Sequence, residues 1–209
     1  MKSKNVLWVS ILAFAAIFTG CSKDPLANLT DEESRIYITD HDSTVNFSAF
    51  NTFSISDSVA VINNGKASKE ATATDVAFIN AVKSQMQAAG FTLVNREASP
   101  DLAINVNRIY NTSTGIISYN NYYDYYGGYW DPYYYGYGGY GYYSPYSYAT
   151  YSIKEGALSV DMLDLKNAAT ANRINVIWTG LIRGTGIFNA SNANQQVGML
   201  FNQSSYLKS

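Results

Sequence analysis

Hydrophobic and polar positions follow different rules in the first twenty residues and in the rest of the chain. Two lysines lie within Met1 to Lys4, and Val6 to Phe18 is then apolar at every position except Ser10. A membrane-crossing helix needs about 20 such residues, so this run is too short to span. Thr19-Gly20-Cys21 closes it with small side chains. A basic start, a short apolar middle and a small-residue end predict a cleaved export signal over residues 1–20. Ser22 to Glu33 is polar and holds Pro25, which predicts a flexible tether over residues 21–34.

From Arg35 onward the pattern is that of a folded domain. Ile36 and Ile38 alternate with Tyr37 and Thr39, and Phe53 and Ile55 alternate with Thr52, Ser54 and Ser56, as strands require. Ile62 to Ala71, with Asn63-Asn64-Gly65 and mixed charges, reads as loop. Val76, Ile79, Val82, Met86 and Ala89 recur at three- and four-residue steps and predict an amphipathic helix. Thr72 or Thr74 is placed to cap its start, and Gly90 to end it in the left-handed conformation. Phe91 to Asn95 then reads as a strand. Leu102, Ile104 and Val106 point one way and Ala103, Asn105 and Asn107 the other, which predicts a half-buried strand. Ala157 to Leu165 and Ile174 to Ile182 read as two longer strands joined by a turn over Lys166 to Arg173. Val197, Leu200, Phe201 and Ser204 give a last helix, with Asn189 or Ser191 as its cap. This order predicts an α+β fold: an antiparallel sheet with two helices packed on one face, forming a single domain over residues 35–209. The other face is expected to be solvated or to meet a partner.

Residues 119–151 fit no period. They hold every tyrosine of the chain except Tyr37, Tyr110 and Tyr206, together with Trp130, Pro132 and Pro145, and no lysine or arginine. They form a Tyr/Gly-rich low-complexity insert.

Composition narrows the function classes. Charged residues are 14% and the net charge is −2, against about 25% charged in an average soluble domain. The insert has stacking rings without phosphate-neutralising cations, so no nucleic-acid partner is expected. The only cysteine is Cys21, so the fold stands without disulfides. Its place after the leader resembles the lipobox of bacterial lipoproteins, with Phe18 where leucine is usual. That resemblance implies cleavage between Gly20 and Cys21, acylation of Cys21, and attachment to a membrane through its acyl chains. Ser22, where an aspartate commonly marks inner-membrane retention, favours the outer membrane; the periplasmic side and the cell surface both stay open.

Several phrases in order resemble a family, the lipoproteins that carry the domain of unknown function 4136. They are Val45 to Phe53, Ala88-Ala89-Gly90-Phe91, Pro100-Asp101-Leu102, Gly156 to Asp164 and Val176-Ile177-Trp178-Thr179-Gly180. The likeness covers about residues 36 to 205 and implies an α+β fold in the cell envelope. It carries no known reaction and no catalytic residues. The C-terminal helix lacks the Phe-Pro ending common in that family.

Groups able to do chemistry are few. His41 is the only histidine, which excludes any His-rich zinc site. In Asp40-His41-Asp42 the two aspartates share one face of an extended segment and the imidazole the other; no metal and no cofactor are expected. Asp161 and Asp164, three apart on a strand, face opposite ways unless a bulge intervenes, with Asp161 expected on an exposed face and Asp164 at the start of a turn. Gly136 to Gly141 satisfies G-x-G-x-x-G, but a dinucleotide site needs a strand before it and a helix after it. Tyr/Gly composition alone accounts for that match.

The insert remains. Tyr122, Tyr123, Tyr125, Tyr126, Tyr129, Trp130, Tyr133, Tyr134, Tyr135, Tyr137, Tyr140, Tyr142 and Tyr143 form a candidate contact surface, since tyrosine offers a flat apolar face and a hydroxyl at low entropic cost. A loop without a binding role can carry the same bias. The expected function is a non-enzymatic binding or envelope-assembly lipoprotein, its partner a glycan or an envelope protein. The alternative is a glycosidase-like hydrolase working through carboxylates such as Asp101, Asp161 and Asp164, chemistry that needs no histidine.

Overall fold

The computed structural model describes residues 29–63, 66–110, 140–143 and 156–209. Cys21 and most of the insert lie outside them. Among the described residues, nine strands form one sheet: β1 (Ile36–His41), β2 (Thr52–Ile55), β3 (Val59–Asn63), β4 (Lys66–Glu70), β5 (Thr92–Leu93), β6 (Leu102–Tyr110), β7 (Gly141–Tyr143), β8 (Ala157–Asp164) and β9 (Arg173–Arg183). The helices are α1 (Ala73–Ala88), the single turn α2 (Ala168–Ala171) and α3 (Ala193–Asn202). The α+β architecture is the one expected, with the two longer helices on one face. Among the described residues no helix is long and apolar enough to cross a membrane.

The sheet is mixed where an antiparallel one was expected. Its centre, β6–β8–β9–β1, is antiparallel throughout. Both β2 and β3, however, run parallel to β6, β5 runs parallel to β2, and β7 runs parallel to β9. A parallel pair needs a crossover connection. Here the β3–β4 hairpin, α1 and β5 supply it, returning the chain to β6 in the direction of β2. From Ile62 on, the hairpin occupies residues read from sequence as loop, and Val59 to Val61 were assigned to no element. Val59 to Ile62 are all buried between β4 and β6, so no alternation marks them as strand. Its partner β4 has the polar sequence Lys-Ala-Ser-Lys-Glu, suited to a charged outer strand that resists edge-to-edge pairing.

Helix α1 begins with a reciprocal cap. Thr72 Oγ1 accepts from the Asp75 backbone N–H, and Asp75 Oδ2 accepts from the Thr72 backbone N–H at 2.8 Å. Gly90, at φ +101°, ends it. The buried stripe is Phe78, Ile79, Val82 and Met86, with Asp75 at its head, while Val76 is 42% exposed. Val76 was expected inside; the charge on Arg108 of β6 turns Asp75 inward instead. The expected strand after Gly90 shortens to the two residues of β5.

Helix α3 buries Val197, Leu200 and Phe201 over Trp178 of β9. The Trp178 indole N–H donates to Ser204 Oγ at 3.0 Å. Asn189 caps the short turn Ala190–Asn192 ahead of α3 rather than α3 itself, for which Asn192 is the cap residue.

Both faces of the central strands are buried. Leu102, Ile104, Val106, Leu158, Val160, Met162, Trp178 and Ile182 meet the helices. On the opposite face Ala103, Ile109, Ala157, Leu163, Val176 and Leu181 form a second apolar cluster, against which Ile38, Tyr140 and Tyr142 pack. The expectations of a half-buried β6 and an exposed Asp161 are therefore corrected: Asn105, Asn107 and Asp161 all have 0% exposure.

Candidate functional site

The face of the sheet opposite α1 and α3 carries a polar patch inside its apolar ring. Strand alternation puts Asn105 and Asn107 of β6, Ser159 and Asp161 of β8, and Thr179 of β9 on this face. Register sets Asn105, Asp161, Thr179 and Asp40 side by side across β6, β8, β9 and β1. Asn107 and Ser159 form the next row. Asp161 Oδ1 accepts from Thr179 Oγ1 at 2.9 Å, and Oδ2 accepts from Asn107 Nδ2 at 2.8 Å and from Ser159 Oγ at 3.4 Å. Asn107 Nδ2 also donates to Ser159 Oγ at 2.9 Å. Asn105 is different: neither its amide nitrogen nor its oxygen has a hydrogen-bond partner. A buried polar group left in that state costs about 1–3 kcal/mol. The row runs from this fully buried amide to half-buried Asp40 on β1.

The other carboxylates singled out from sequence are held by backbone. Asp101 Oδ2 accepts from Asn51 N at 2.7 Å and Thr52 N at 3.2 Å, tying the start of β2 to the start of β6. Asp164 accepts from the Asn167 backbone N–H at 2.9 Å and its amide at 2.7 Å, closing the turn after β8. It sits on the side of β8 opposite to Asp161, as the strand period requires. The register of β8 against β9 slips between the two aspartates, at Met162 and Leu163, but the extra residue, Ile177, lies on β9 and leaves the alternation of β8 intact. The three carboxylates do not converge.

His41 also leaves its neighbours. Its ring stacks on Tyr206 at 3.9 Å between centroids, on the helix side of the sheet, while Asp40 lies on the other face. Among the described residues no group of three or more His, Cys, Asp or Glu side chains is placed to hold a metal ion.

A second charged cluster went unread in the sequence. Arg108, on the helix side of β6, pairs with Glu70 of β4 and with Asp75 of α1, and donates to Tyr110 Oη at 3.0 Å. Its guanidinium carbon lies 5.8 Å from the ring centroids of both Tyr110 and Phe188. Burial works against the guanidinium charge, but Tyr110, Asp75 and Glu70 outweigh it and raise the pKa above its ordinary value. Arg108 is thus locked in place by acids and is not offered to an anion.

Of the contact-surface residues, Tyr140, Tyr142 and Tyr143 lie within the described residues; Tyr122, Tyr123, Tyr125, Tyr126, Tyr129, Trp130, Tyr133, Tyr134, Tyr135 and Tyr137 lie outside, as do Gly20 and Cys21. Tyr140 and Tyr142 pack on the second apolar cluster. Tyr143 is 38% exposed, and the Arg173 guanidinium sits 3.9 Å from its ring centroid. β7 joins this segment to the sheet by pairing with Arg173 to Asn175. An open groove of about 340 Å³ lies elsewhere, between the end of α1 and the tail, lined by Gln85, Phe201, Leu207 and Lys208 among others.

Sequence reasoning missed Asn105, Asn107, Ser159 and Thr179 because a polar residue alternating with apolar ones reads as facing water. The available signal was their chemistry: on this face of β6, β8 and β9 amides and hydroxyls stand among apolar residues such as Ala103, Ile109, Leu163 and Leu181, and Asp161 is the only acid among them.

The model of the Domain of unknown function (DUF4136) matches residues 38–204. The chain belongs to the DUF4136 family. A crystal structure of a DUF4136 family protein from Bacteroides thetaiotaomicron superposes with a TM-score of 0.67 and 26% identity, over 84% of this chain and 98% of that one. This DUF4136 chain also matches a PDZ domain protein from Parabacteroides distasonis at a TM-score of 0.46 and 13% identity, over 84% of this chain and 37% of that one, a likeness that bears on neither fold nor function. No curated protein matches the sequence.

Proposed function

We propose that this DUF4136 protein is a lipid-anchored component of the outer membrane that works by binding and not by catalysis. The observation that carries the reading is the leader ending in Thr19-Gly20-Cys21, with the chain's single cysteine at the position an acyltransferase would modify. Residues 22–29 separate Cys21 from the hydrogen-bonded turn at Thr30, where Thr30 Oγ1 donates to Glu33 Oε2 at 2.9 Å. Eight residues reach at most about 28 Å, so an acylated Cys21 keeps the folded body close to the bilayer.

The binding element in this reading is the Tyr/Gly-rich insert, and its partner is a glycan or an envelope protein. Tyrosine rings stack on sugar faces and on other aromatics while their hydroxyls hydrogen-bond. Support comes from Tyr143, which presents a half-open ring beside the Arg173 charge. Weighing against a hydrolase, Asp101 and Asp164 are saturated by backbone and turn contacts. Asp161 and Asp40 stand in one row of the sheet with Thr179 of β9 between them, rather than facing each other across a cleft.

Mass spectrometry of the mature protein tests the anchor: a diacyl or triacyl mass on a chain starting at Cys21 is expected, and a free thiol there refutes it. Deletion of residues 119–138, which spares Tyr140 and Tyr142, tests the binding element. Retention on purified envelope polysaccharide, or capture of a defined envelope protein, is expected to fall at least tenfold. Unchanged retention on both removes the insert from the mechanism.

A further inference from the structure

We infer that the outer edge of β1 is an interface, and that its partner is the same edge of a second copy of this chain, related by a two-fold axis at Ile38. The inference is independent of the insert and of the lipid anchor. It begins from the alternation of backbone bonds along β1, whose inner neighbour is β9. In an antiparallel pair, successive residues bond alternately inward and outward. Asp42 N donates inward to Ile177 O at 3.0 Å. The Arg35 and His41 N–H groups bond elsewhere, Arg35 to Glu32 O at 3.2 Å and His41 to Asp40 Oδ1 at 2.8 Å. The odd-numbered residues of β1 therefore turn their backbone groups away from β9.

Between the two occupied N–H groups lies an open window. Among the described residues nothing bonds the outward N–H and C=O groups of Tyr37 and Thr39. Arg35 and His41 close the window at equal distances on either side of Ile38. The other outer strands are built differently. β4 is Lys-Ala-Ser-Lys-Glu, whose charges discourage edge pairing, and β5 and β7 have two and three residues. β1 runs six residues with no lysine, no proline and no break in its register.

Symmetry selects the occupant. A second β1, antiparallel and centred Ile38 on Ile38, sets Tyr37 opposite the partner's Thr39 and Thr39 opposite the partner's Tyr37. Each pair exchanges two N–H···O bonds, so every open group of the window is used. The next bonding position sets Arg35 opposite the partner's His41, where both N–H groups are already satisfied and no donor is stranded. Ile38 meets the partner's Ile38 at a non-bonded position, where facing side chains come closest. Ile36 faces the partner's Asp40, so no like charges are opposed. The axis stands perpendicular to the sheet and keeps α1 and α3 of both copies on one side, an isologous contact.

Disulfide trapping in intact cells expressing the full chain tests the pairing, with the wild type, whose only thiol is Cys21, as background. A non-bonded antiparallel pair holds its Cα atoms about 4.5 Å apart, within reach of a disulfide. Under mild oxidation Ile38→Cys is expected to form about tenfold more covalent dimer than Ile36→Cys, whose two thiols lie about 14 Å apart in this register. A second arm leaves Ile38 in place: chains with Ile36→Cys and chains with Asp40→Cys, expressed together, are expected to link to each other and neither to itself. Thr39→Pro removes an outward N–H that the fold does not use. It is expected to abolish both links at an unchanged Tm. Dimer at background level in both arms, a link to a different protein, or links that survive Thr39→Pro would overturn the inference.

Discussion

Arg108 Nε lies 2.9 Å from Asp75 Oδ1, and Arg108 Nη2 lies 3.2 Å from Asp75 Oδ2, joining the middle of the sheet to the first turn of α1. The Nε contact is a close ion pair without hydrogen-bond alignment, and the Nη2 contact is the aligned one. Asp75 also completes the helix cap with Thr72. One buried carboxylate thus fixes both where α1 starts and how it sits on β6. Replacing Asp75 by alanine removes the side-chain half of the cap, the bonds from the Thr72 backbone and hydroxyl to Asp75 Oδ2, and leaves the Arg108 charge with Glu70 alone. A loss of about 3–5 kcal/mol is expected in urea unfolding, the range for breaking a buried ion pair from one side. Arg108→Met combined with Asp75→Ala is expected to cost less than the sum of the single changes. A loss below about 1 kcal/mol for Asp75→Ala would show that the pair does not hold the helix.

Close approach of α3 to the sheet depends on Gly180. A Cβ there would stand 2.7 Å from Leu200 Cδ1 and 2.8 Å from the Trp178 ring. Leu200 can yield, but Trp178 is fixed by its bond to Ser204 and by Phe201 at 5.5 Å. Gly180→Ala is therefore expected to destabilise by about 1–3 kcal/mol through overpacking, despite the lower chain entropy alanine brings to the unfolded state. Chemical denaturation reads the change, and a neutral or stabilised variant would contradict the packing.

Ser204, two residues past the end of α3, accepts from the Trp178 indole in the core, and the Tyr206 hydroxyl lies 3.4 Å from the same oxygen. Ser204→Ala leaves the indole N–H buried and unbonded, for an expected loss of about 1–3 kcal/mol. Trp178→Phe in the same background removes the stranded donor at the cost of a smaller ring. The coupling between the two changes, measured in a double-mutant cycle, is expected to be near 1 kcal/mol. Additivity within a few tenths of a kcal/mol would refute the bond.

The elements with a clear period were legible in sequence. Helix α1 and its Gly90 stop follow from local chemistry, its cap was narrowed to Thr72 or Thr74 and the structure selects Thr72, and the buried positions of β6, β8 and β9 that face the helices were legible too. What failed shares one cause. Periodicity reports burial on one side and is silent when both sides are covered, as at Val59 to Ile62 of β3 and at Asn105, Asn107 and Asp161. Chain direction was equally hidden: β2 and β6 read alike whether parallel or antiparallel, and only the crossover through α1 decides. The same blindness hid the candidate site, since five polar side chains on three strands converge only after register is set. Arg108 was invisible for a related reason, its partners Glu70 and Asp75 being separated from it by most of the crossover.

Acid titration reaches a last contact, at the entry to the domain. Thr30 donates to Glu33 from its backbone at 2.9 Å and from its hydroxyl at 2.9 Å. The backbone bond, then the side-chain bond, favours the ionised carboxylate and lowers the Glu33 pKa below the ordinary glutamate value. A depressed folded-state pKa contributes stability that is present above the unfolded value and is lost as pH falls through the folded one. The turn at Thr30 is accordingly expected to loosen in mild acid before the core does. NMR titration of the Glu33 side chain should give a midpoint below that of the same residue in Thr30→Ala, where the hydroxyl bond is gone. Identical midpoints in the two proteins would show that the hydroxyl does not hold this turn closed.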